Sequence, residues 1–168
     1  MRARTHAYRT CRRTGRIPHR RGRLSRGFVR LFLDSNVWVS AFATKGLCRE
    51  LVELALGLHS RENIVLIAGR HVAEEVARIL HEKFKLSGEP ISAALEVLAL
   101  CESTPDEADW HPQGDFPDAG DIAIIAAALA AKADLFVTGD KALVALGAVE
   151  NLPILDPRTA YLRLRGLG

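Results

Sequence analysis

The 168-residue sequence predicts one α/β domain, a three-layer α/β/α sandwich around a central, mainly parallel sheet. Short apolar runs typical of buried strands alternate along the chain with segments whose apolar residues recur at helical spacing. That alternation implies right-handed crossovers and a parallel sheet covered on both faces. The length suits a single domain, and 48% hydrophobic with 26% charged residues is the balance of a globular protein.

Four apolar runs predict the strands, in the order 28–34, 62–69, 134–140 and 151–156. The first run, FVRLFLD, ends in a carboxylate, and the residues SNV that follow it predict a turn. A further short edge strand is expected from Cys101 onward. The segment 103–121 is rich in Pro, Gly and Asp, so it predicts the longest loop.

Helical spacing of apolar residues predicts helices over 46–60 and 70–84, and Pro90 begins another that runs to about 99. The segment 122–131 is apolar nearly all round, as expected of a helix buried between layers. Asp156 and Pro157 together predict the cap and first residue of a last short helix.

Residues 1–28 differ sharply from the rest of the chain. They hold ten arginines and no lysine or acid, whereas residues 29–168 hold 13 Lys/Arg and 20 Asp/Glu. Without apolar periodicity the segment has no face to bury, so it predicts a disordered, Arg-rich leader before a single domain at 29–168. Four interpretations are open: a solvated tail, an RNA-contacting arm, an organellar transit peptide, or upstream DNA read in frame before a start at Val29.

Composition disfavours three kinds of protein. The longest apolar run, 122–131, has ten residues, half the length of a membrane-spanning helix. The three cysteines are scattered without CxxC spacing, which disfavours a disulfide framework and a zinc knuckle. We therefore expect a cytoplasmic protein with no membrane partner.

Several acidic residues lie at positions where α/β folds bind their ligands. Asp34 and Asp140 each follow a predicted strand, and ligands bind at the carboxyl ends of parallel strands. Asp118 and Asp121 bracket the start of the apolar helix, where they also resemble a capping arrangement. An acid at a strand end is equally typical of a turn or a helix cap.

The helix over 70–84 contributes a fifth candidate. At about 100° per residue, Glu75 falls beside Val72 and Ile79 at the margin of the apolar stripe, whereas Glu74 lies on the solvent side. If one of these two glutamates serves the site, we expect it to be Glu75.

Converging carboxylates repel one another and raise some of their pKa values, and a divalent cation relieves that conflict. A ligand set of oxygens, without Cys or His, favours Mg²⁺ or Mn²⁺ over zinc. One or two such ions can activate water and stabilise charge on a phosphodiester.

The segments LFLDSNVWVSAF, EEVARIL, DAGDIAIIAAALAAKADLFVTGD and NLPILDPRTAYL, in this order, resemble the PIN-domain family. Within it they are most similar to the toxin components, which are ribonucleases, of bacterial type II toxin–antitoxin systems, over about 29–163. The resemblance implies a PIN-like fold and a metal-dependent endoribonuclease that hydrolyses RNA. The positions that match the catalytic and metal-binding acids are Asp34, Glu75, Asp121 and Asp140. The positions that match supporting residues are Ser35, Asn36, Asp118 and Thr138.

The resemblance also implies a small antitoxin protein as partner and a homodimer. One departure is Ala142, which stands where relatives often carry a further aspartate. It favours an alternative, a non-catalytic PIN-like module that binds RNA or protein. A phosphoaspartyl phosphatase is disfavoured, since that chemistry needs a second acid where Asn36 stands.

Overall fold

The computed structural model describes residues 28–61, 63–104, 110–112 and 119–166. Within them the chain forms five strands: β1 (Val29–Leu33), β2 (Ile64–Ile67), β3 (Leu135–Val137), β4 (Ala148–Val149) and β5 (Leu152–Leu155). It also forms seven helices: α1 (Ser35–Ala43), α2 (Leu47–Ser60), α3 (Arg70–Glu82), α4 (Glu89–Leu98), α5 (Ala119–Ala130), α6 (Lys141–Leu146) and α7 (Pro157–Arg165).

The strands form one sheet in the order β2-β1-β3-β5-β4. The first four are parallel neighbours, and only the two-residue β4 runs antiparallel, beside β5. This confirms the predicted α/β fold with a mainly parallel central sheet.

Both faces of the sheet are covered. Successive side chains of a strand point to opposite faces, and Leu31, Phe32 and Leu33 of β1 are all fully buried. The three residues of β3 are likewise buried, and the rings of Phe32 and Phe136 stack at 5.6 Å. The continuous apolar runs in the sequence therefore reflect strands enclosed between two helical layers.

The strand order reverses direction beside β1. From β1 the chain crosses to β2 on one side of it and later returns to β3 on the other. Ligands of doubly wound sheets bind at such a switch point, outside the carboxyl ends of the strands. The backbone N–H of Asp34 donates to the carbonyl of Val137 at 2.9 Å, which ties the ends of β1 and β3 together there.

The predicted turn after Asp34 is wrong, because helix α1 begins at Ser35. The sequence does not predict this helix because Val37 and Val39 are β-branched and have low helix propensity. Tertiary packing outweighs that preference: Val37, Trp38 and Ala41 are buried at helical spacing, and Trp38 stacks on Phe42.

Other elements differ in extent from prediction. The edge strand expected from Cys101 is reduced to one parallel bridge between Ile67 and Glu102. Helix α5 begins at Ala119, inside the predicted loop, and it is exposed along part of its length, at Ala123 and Ala130. Helix α6 and strand β4 are too short for periodicity to reveal.

Two predictions fall on residues outside the described ranges. The leader, apart from Phe28, lies outside them, as do 105–109 and 113–118 of the predicted long loop, including Asp118. Among the helices of the described residues, none has the length and apolar composition that crossing a bilayer requires.

Candidate active site

Asp34 is the centre of the candidate site. It ends β1 and precedes α1, but its side chain makes no capping hydrogen bond to that helix. Its Oδ2 instead accepts hydrogen bonds from Asn36 Nδ2 and Thr138 Oγ1, both at 2.6 Å. Only 6% of Asp34 is exposed, so its carboxylate is hydrogen-bonded by neighbouring side chains rather than by water.

Thr138 fixes this arrangement from β3. Its fully buried hydroxyl donates to Asp34 and accepts from Asn36 Nδ2 at 3.1 Å and from the backbone N–H of Asp140 at 3.0 Å. The Oδ1 of Asn36 in turn accepts from the N–H of Gly139 at 2.9 Å. The residues after β1 and β3 therefore form one hydrogen-bonded unit in which each polar group has a defined role.

Ser35 joins Asp34 to the glutamate of α3. Its hydroxyl lies 2.7 Å from Oε2 of Glu75 and 3.2 Å from Oδ1 of Asp34. A hydroxyl has one proton, so it can donate to only one of these two carboxylates at a time. The negative charges of the two carboxylates therefore repel each other, and a bound cation or an added proton would reduce this repulsion.

The environment of Asp34 shifts its acidity. Burial raises the pKa of the Asp34 carboxyl above its ordinary value, hydrogen bonds from Thr138 and Ser35 oppose the rise, and the negative charge of Glu75 adds to it. Desolvation is the largest cause, as expected of a carboxyl removed from water.

The two neighbouring glutamates of α3 face different surroundings. Glu75 contacts Ser35 and lies 3.5 Å from Arg78, and 43% of its side chain is exposed. Glu74 has 62% of its side chain exposed and pairs with Arg70 at 3.7 Å. The structure therefore brings Glu75, and not Glu74, to Asp34.

Asp140 is attached to the site but is also used structurally. Its Oδ1 accepts from the N–H groups of Ala142 at 2.6 Å and Leu143 at 3.1 Å, so it caps α6. Its own N–H is bound to Thr138. The expected capping role and a place at the carboxyl edge of the sheet thus coincide in one residue.

Asp121 lies in the first turn of α5 and is half-buried. Gly120, beside it, lines a groove that Glu75 also lines. The structure therefore places the start of α5 across that groove from α3.

The donor chemistry of the site suits a hard divalent cation. Among the described residues, Asp34 contacts the hydroxyls of Ser35 and Thr138 and the amide nitrogen of Asn36, and no thiol or imidazole. The Ser35 hydroxyl links it to the carboxylate of Glu75, so the nearby acceptors are oxygens, the ligands that such a cation prefers. Within the described part of the chain, however, no three His, Cys, Asp or Glu side chains come close enough to form a metal-binding group. The contacts that the structure shows link Asp34 to Glu75 through Ser35 and to the backbone of Asp140 through Thr138.

Sequence reasoning missed Arg78, a basic residue beside the site. Its guanidinium lies next to Glu75, and it lines the same groove. The signal that identifies it is its spacing, because a residue three positions after Glu75 lies on the same side of a helix.

The fold and the site together define a class: an α/β domain with a buried, hydrogen-bonded aspartate at the switch point of its parallel sheet, linked by a serine hydroxyl to a half-buried glutamate. The chain belongs to the PIN domain family, whose model matches residues 30–142. Proteins of this family are generally nucleases that act on RNA and use divalent metal ions.

Similarity to individual proteins is limited. No curated protein matches the chain. The crystal structure of PAE2754 from Pyrobaculum aerophilum is similar to it with a TM-score of 0.47 and 15% sequence identity, over 82% of this chain and 96% of that one.

Proposed function

We propose that this PIN domain is a metal-dependent endoribonuclease that hydrolyses RNA phosphodiester bonds. The observation that carries the proposal is the Ser35-linked pair of carboxylates, Asp34 and Glu75, at the switch point of the sheet. A buried acid of raised pKa beside a second acid is typical of a functional site, because structure alone gains nothing from their repulsion.

In the proposal, Asp34 and Glu75 hold Mg²⁺ or Mn²⁺, and Asp121 and Asp140 complete the ligand set for one or two ions. When bound, the ion activates water and stabilises charge on the phosphodiester. Asp118, before α5, is proposed as a supporting residue.

The chain's own groups do the positioning. Thr138 and Asn36 fix Oδ2 of Asp34, which leaves Oδ1 directed to the side of Ser35 and Glu75. Glu75 is only half-buried and sits beside the groove, so it is placed to accept a proton from water that attacks phosphorus. The hydroxyl of Ser35 lies within hydrogen-bond distance of both carboxylates and positions them relative to each other.

The test is cleavage of a fluorescent RNA with Mg²⁺ or Mn²⁺. Asp34→Asn and Glu75→Gln are expected to lower the rate at least about 100-fold, since each removes a charge that the site requires. Glu74→Gln is the matched control, one residue away: it removes a charge that pairs with Arg70 and does not reach Asp34, so it should not lower the rate. Equal rates for Glu75→Gln and Glu74→Gln would refute the assignment.

We further propose that the protein is the toxin of a cytoplasmic toxin–antitoxin pair, with a small antitoxin as partner and a homodimer as its assembly. The support is the resemblance of its motifs to those toxins. Expression of the chain should arrest growth, and co-expression of a short neighbouring reading frame should restore it. Growth arrest that persists in Asp34→Asn contradicts a nuclease toxin.

One observation favours a second function, a non-catalytic module that binds RNA or protein. Asp140 uses one carboxylate oxygen to cap α6, and Ala142 supplies no further acid. For such a module, wild type and Asp140→Ala should bind RNA equally and neither should cleave it. Metal-dependent cleavage by wild type alone excludes this alternative.

A further inference from the structure

We propose that the groove between α3 and α5 binds one nucleotide of the RNA substrate, with Arg78 on its phosphate and the apolar side of α5 against its base. The proposal rests on the proposed function, because the groove begins at Glu75. It extends that function by assigning a subsite and its residues.

The groove has the size of a ligand site. Its volume is about 400 Å³, within the range of roughly 300–1,000 Å³ that small-molecule pockets occupy. Val72 of α3 and Phe32 of β1 form one part of its lining, and α5 forms the opposite wall. A mainly apolar lining with a few polar groups is typical of a pocket that binds a flat, partly polar molecule.

Helix α5 is more apolar than the core requires. Ile125 and Ala128 are fully buried in the core, whereas Ala123, Ile124 and Ala127 line the groove. Of these three, Ala123 is exposed and the other two are half-buried. A nucleobase released from stacking needs such a surface, because its faces are apolar while its edges form hydrogen bonds.

Arg78 supplies the cation of the subsite. Its guanidinium lies 3.5 Å from Glu75 Oε1 and 3.0 Å from Glu82 Oε2, and 55% of its side chain is exposed. Ion pairs this exposed contribute little to stability, so the guanidinium can exchange a carboxylate for a phosphate. The planar guanidinium also matches two phosphate oxygens at once.

The charges orient the nucleotide. Glu74 and Glu75 repel an anion at their part of the groove, and Glu74 is already paired with Arg70. The phosphate is therefore expected beside Arg78, and the base against α5. The next phosphate along the strand then lies toward Glu75 and Asp34, where the divalent ion of the proposed function would offset the repulsion by the two carboxylates.

The experiment measures binding of a fluorescein-labelled, mixed-sequence RNA hexamer by anisotropy, in EDTA, on the Asp34→Asn background. This background keeps the RNA intact and removes one repelling charge. Arg78→Ala should weaken binding about tenfold and reduce the slope of log affinity against log salt by about 0.7, the value for one phosphate contact on a single strand. Ala123→Trp, which fills the groove from its exposed rim, should weaken binding by a similar factor.

Two matched controls accompany these variants. Arg61→Ala removes an exposed arginine between α2 and β2, at the amino-terminal end of the strands and away from the groove, and Ala130→Trp adds the same bulk at the exposed end of α5. Both should bind within about twofold of the background, and thermal unfolding checks that all variants fold. Arg78→Lys keeps the charge but not the two-pronged contact, so an affinity between those of the background and of Arg78→Ala supports the phosphate assignment.

Unchanged affinity in Arg78→Ala and Ala123→Trp overturns the proposal, as does an equal loss in the controls. Failure of the proposed function has a different signature, namely no cleavage by wild type in the separate metal-dependent assay. The binding comparison still decides the groove in that case.

Discussion

Asp34 combines a buried negative charge, three hydrogen-bond donors and a nearby acid of the same sign. The donors recover part of the desolvation cost, but repulsion by Glu75 remains in the absence of a cation. A residue selected for stability alone would not carry this combination. At the residue scale, the site therefore favours function over stability.

We predict that Asp34→Asn stabilises the metal-free protein at neutral pH. The amide oxygen can accept from Asn36 and Thr138, while its NH₂ group faces Ser35 and Glu75. The pKa of Asp34 is higher in the folded protein than in the unfolded chain, where it is about 4. The wild-type protein therefore loses stability as the pH rises from the unfolded-state pKa through the folded-state pKa. The melting temperature in EDTA at pH 7 should rise by about 2–4 °C, equivalent to about 1 kcal/mol, and the gain should shrink as pH falls.

Asp156→Asn is the control for that prediction, with the opposite sign. Hydrogen bonds from Thr159 and Arg158 hold the pKa of Asp156 below its ordinary value. Its charged form therefore adds stability above the unfolded pKa, and this contribution is lost as pH falls through the folded pKa. The Asn variant should melt lower than wild type at pH 7. If the change in melting temperature varied with pH in the same direction for both variants, the raised pKa of Asp34 would be contradicted.

The Thr138 hydroxyl carries a second residue-level prediction. Thr138→Val keeps the shape but leaves the N–H of Asp140 and one donor of Asn36 without their acceptor. An unsatisfied buried polar group costs about 1–3 kcal/mol. Urea unfolding should therefore show a loss of about 2 kcal/mol in the free energy of unfolding, and RNA cleavage should be lost as well. Thr138→Ser keeps the hydroxyl and should retain cleavage. Equal rates for the two variants would show that this hydroxyl does not position Asp34.

At the element scale, the sequence predicts the core elements well and their ends poorly. Alternation and spacing predict the strands that become β1, β2, β3 and β5, because their residues are buried on both faces. They fail for α1, where Ser35 and Asn36 suggest a turn and the valines disfavour a helix until packing against α2 and α3 is known. Short elements such as α6 carry no complete period, so only the cap by Asp140 marks its start.

The start of α3 depends on a close approach that sequence cannot show. A Cβ at Gly69, the residue before α3, would overlap Oγ1 of the buried Thr104. Gly69→Ala should lower the free energy of unfolding by about 1–3 kcal/mol, the usual range for overpacking. Helix α3 carries Glu75, so cleavage should fall as well.

A double-mutant cycle isolates this contact. Thr104→Ala removes the overlapping atom, so Gly69→Ala/Thr104→Ala should be more stable than Gly69→Ala alone, a strong departure from additivity. Urea unfolding of the four proteins measures it. Additive losses would mean that overlap with Thr104 is not the cause of the destabilisation by Gly69→Ala.

At the scale of the whole molecule, the candidate site is partly predictable from sequence. Strand ends place Asp34 and Asp140 at one edge, and helical geometry selects Glu75 over Glu74. Sequence does not reveal that β1 lies between β2 and β3, which brings Thr138 to Asp34. Nor does it reveal the groove, because Arg78 and the outer side of α5 become neighbours only after the chain folds.

The distribution of charge leads to the last prediction, that residues 28–168 fold without the Arg-rich leader. Residues 1–28 carry ten arginines and no apolar pattern with which to pack, and the core formed by the described residues begins at Leu31. Removal of 1–27 should leave the melting temperature within about 2 °C. It should also weaken RNA binding and its salt dependence, since each arginine near a phosphate contributes to both. A truncated chain that unfolds would place the leader within the domain, and unchanged RNA affinity would confine RNA recognition to the acidic body and its groove.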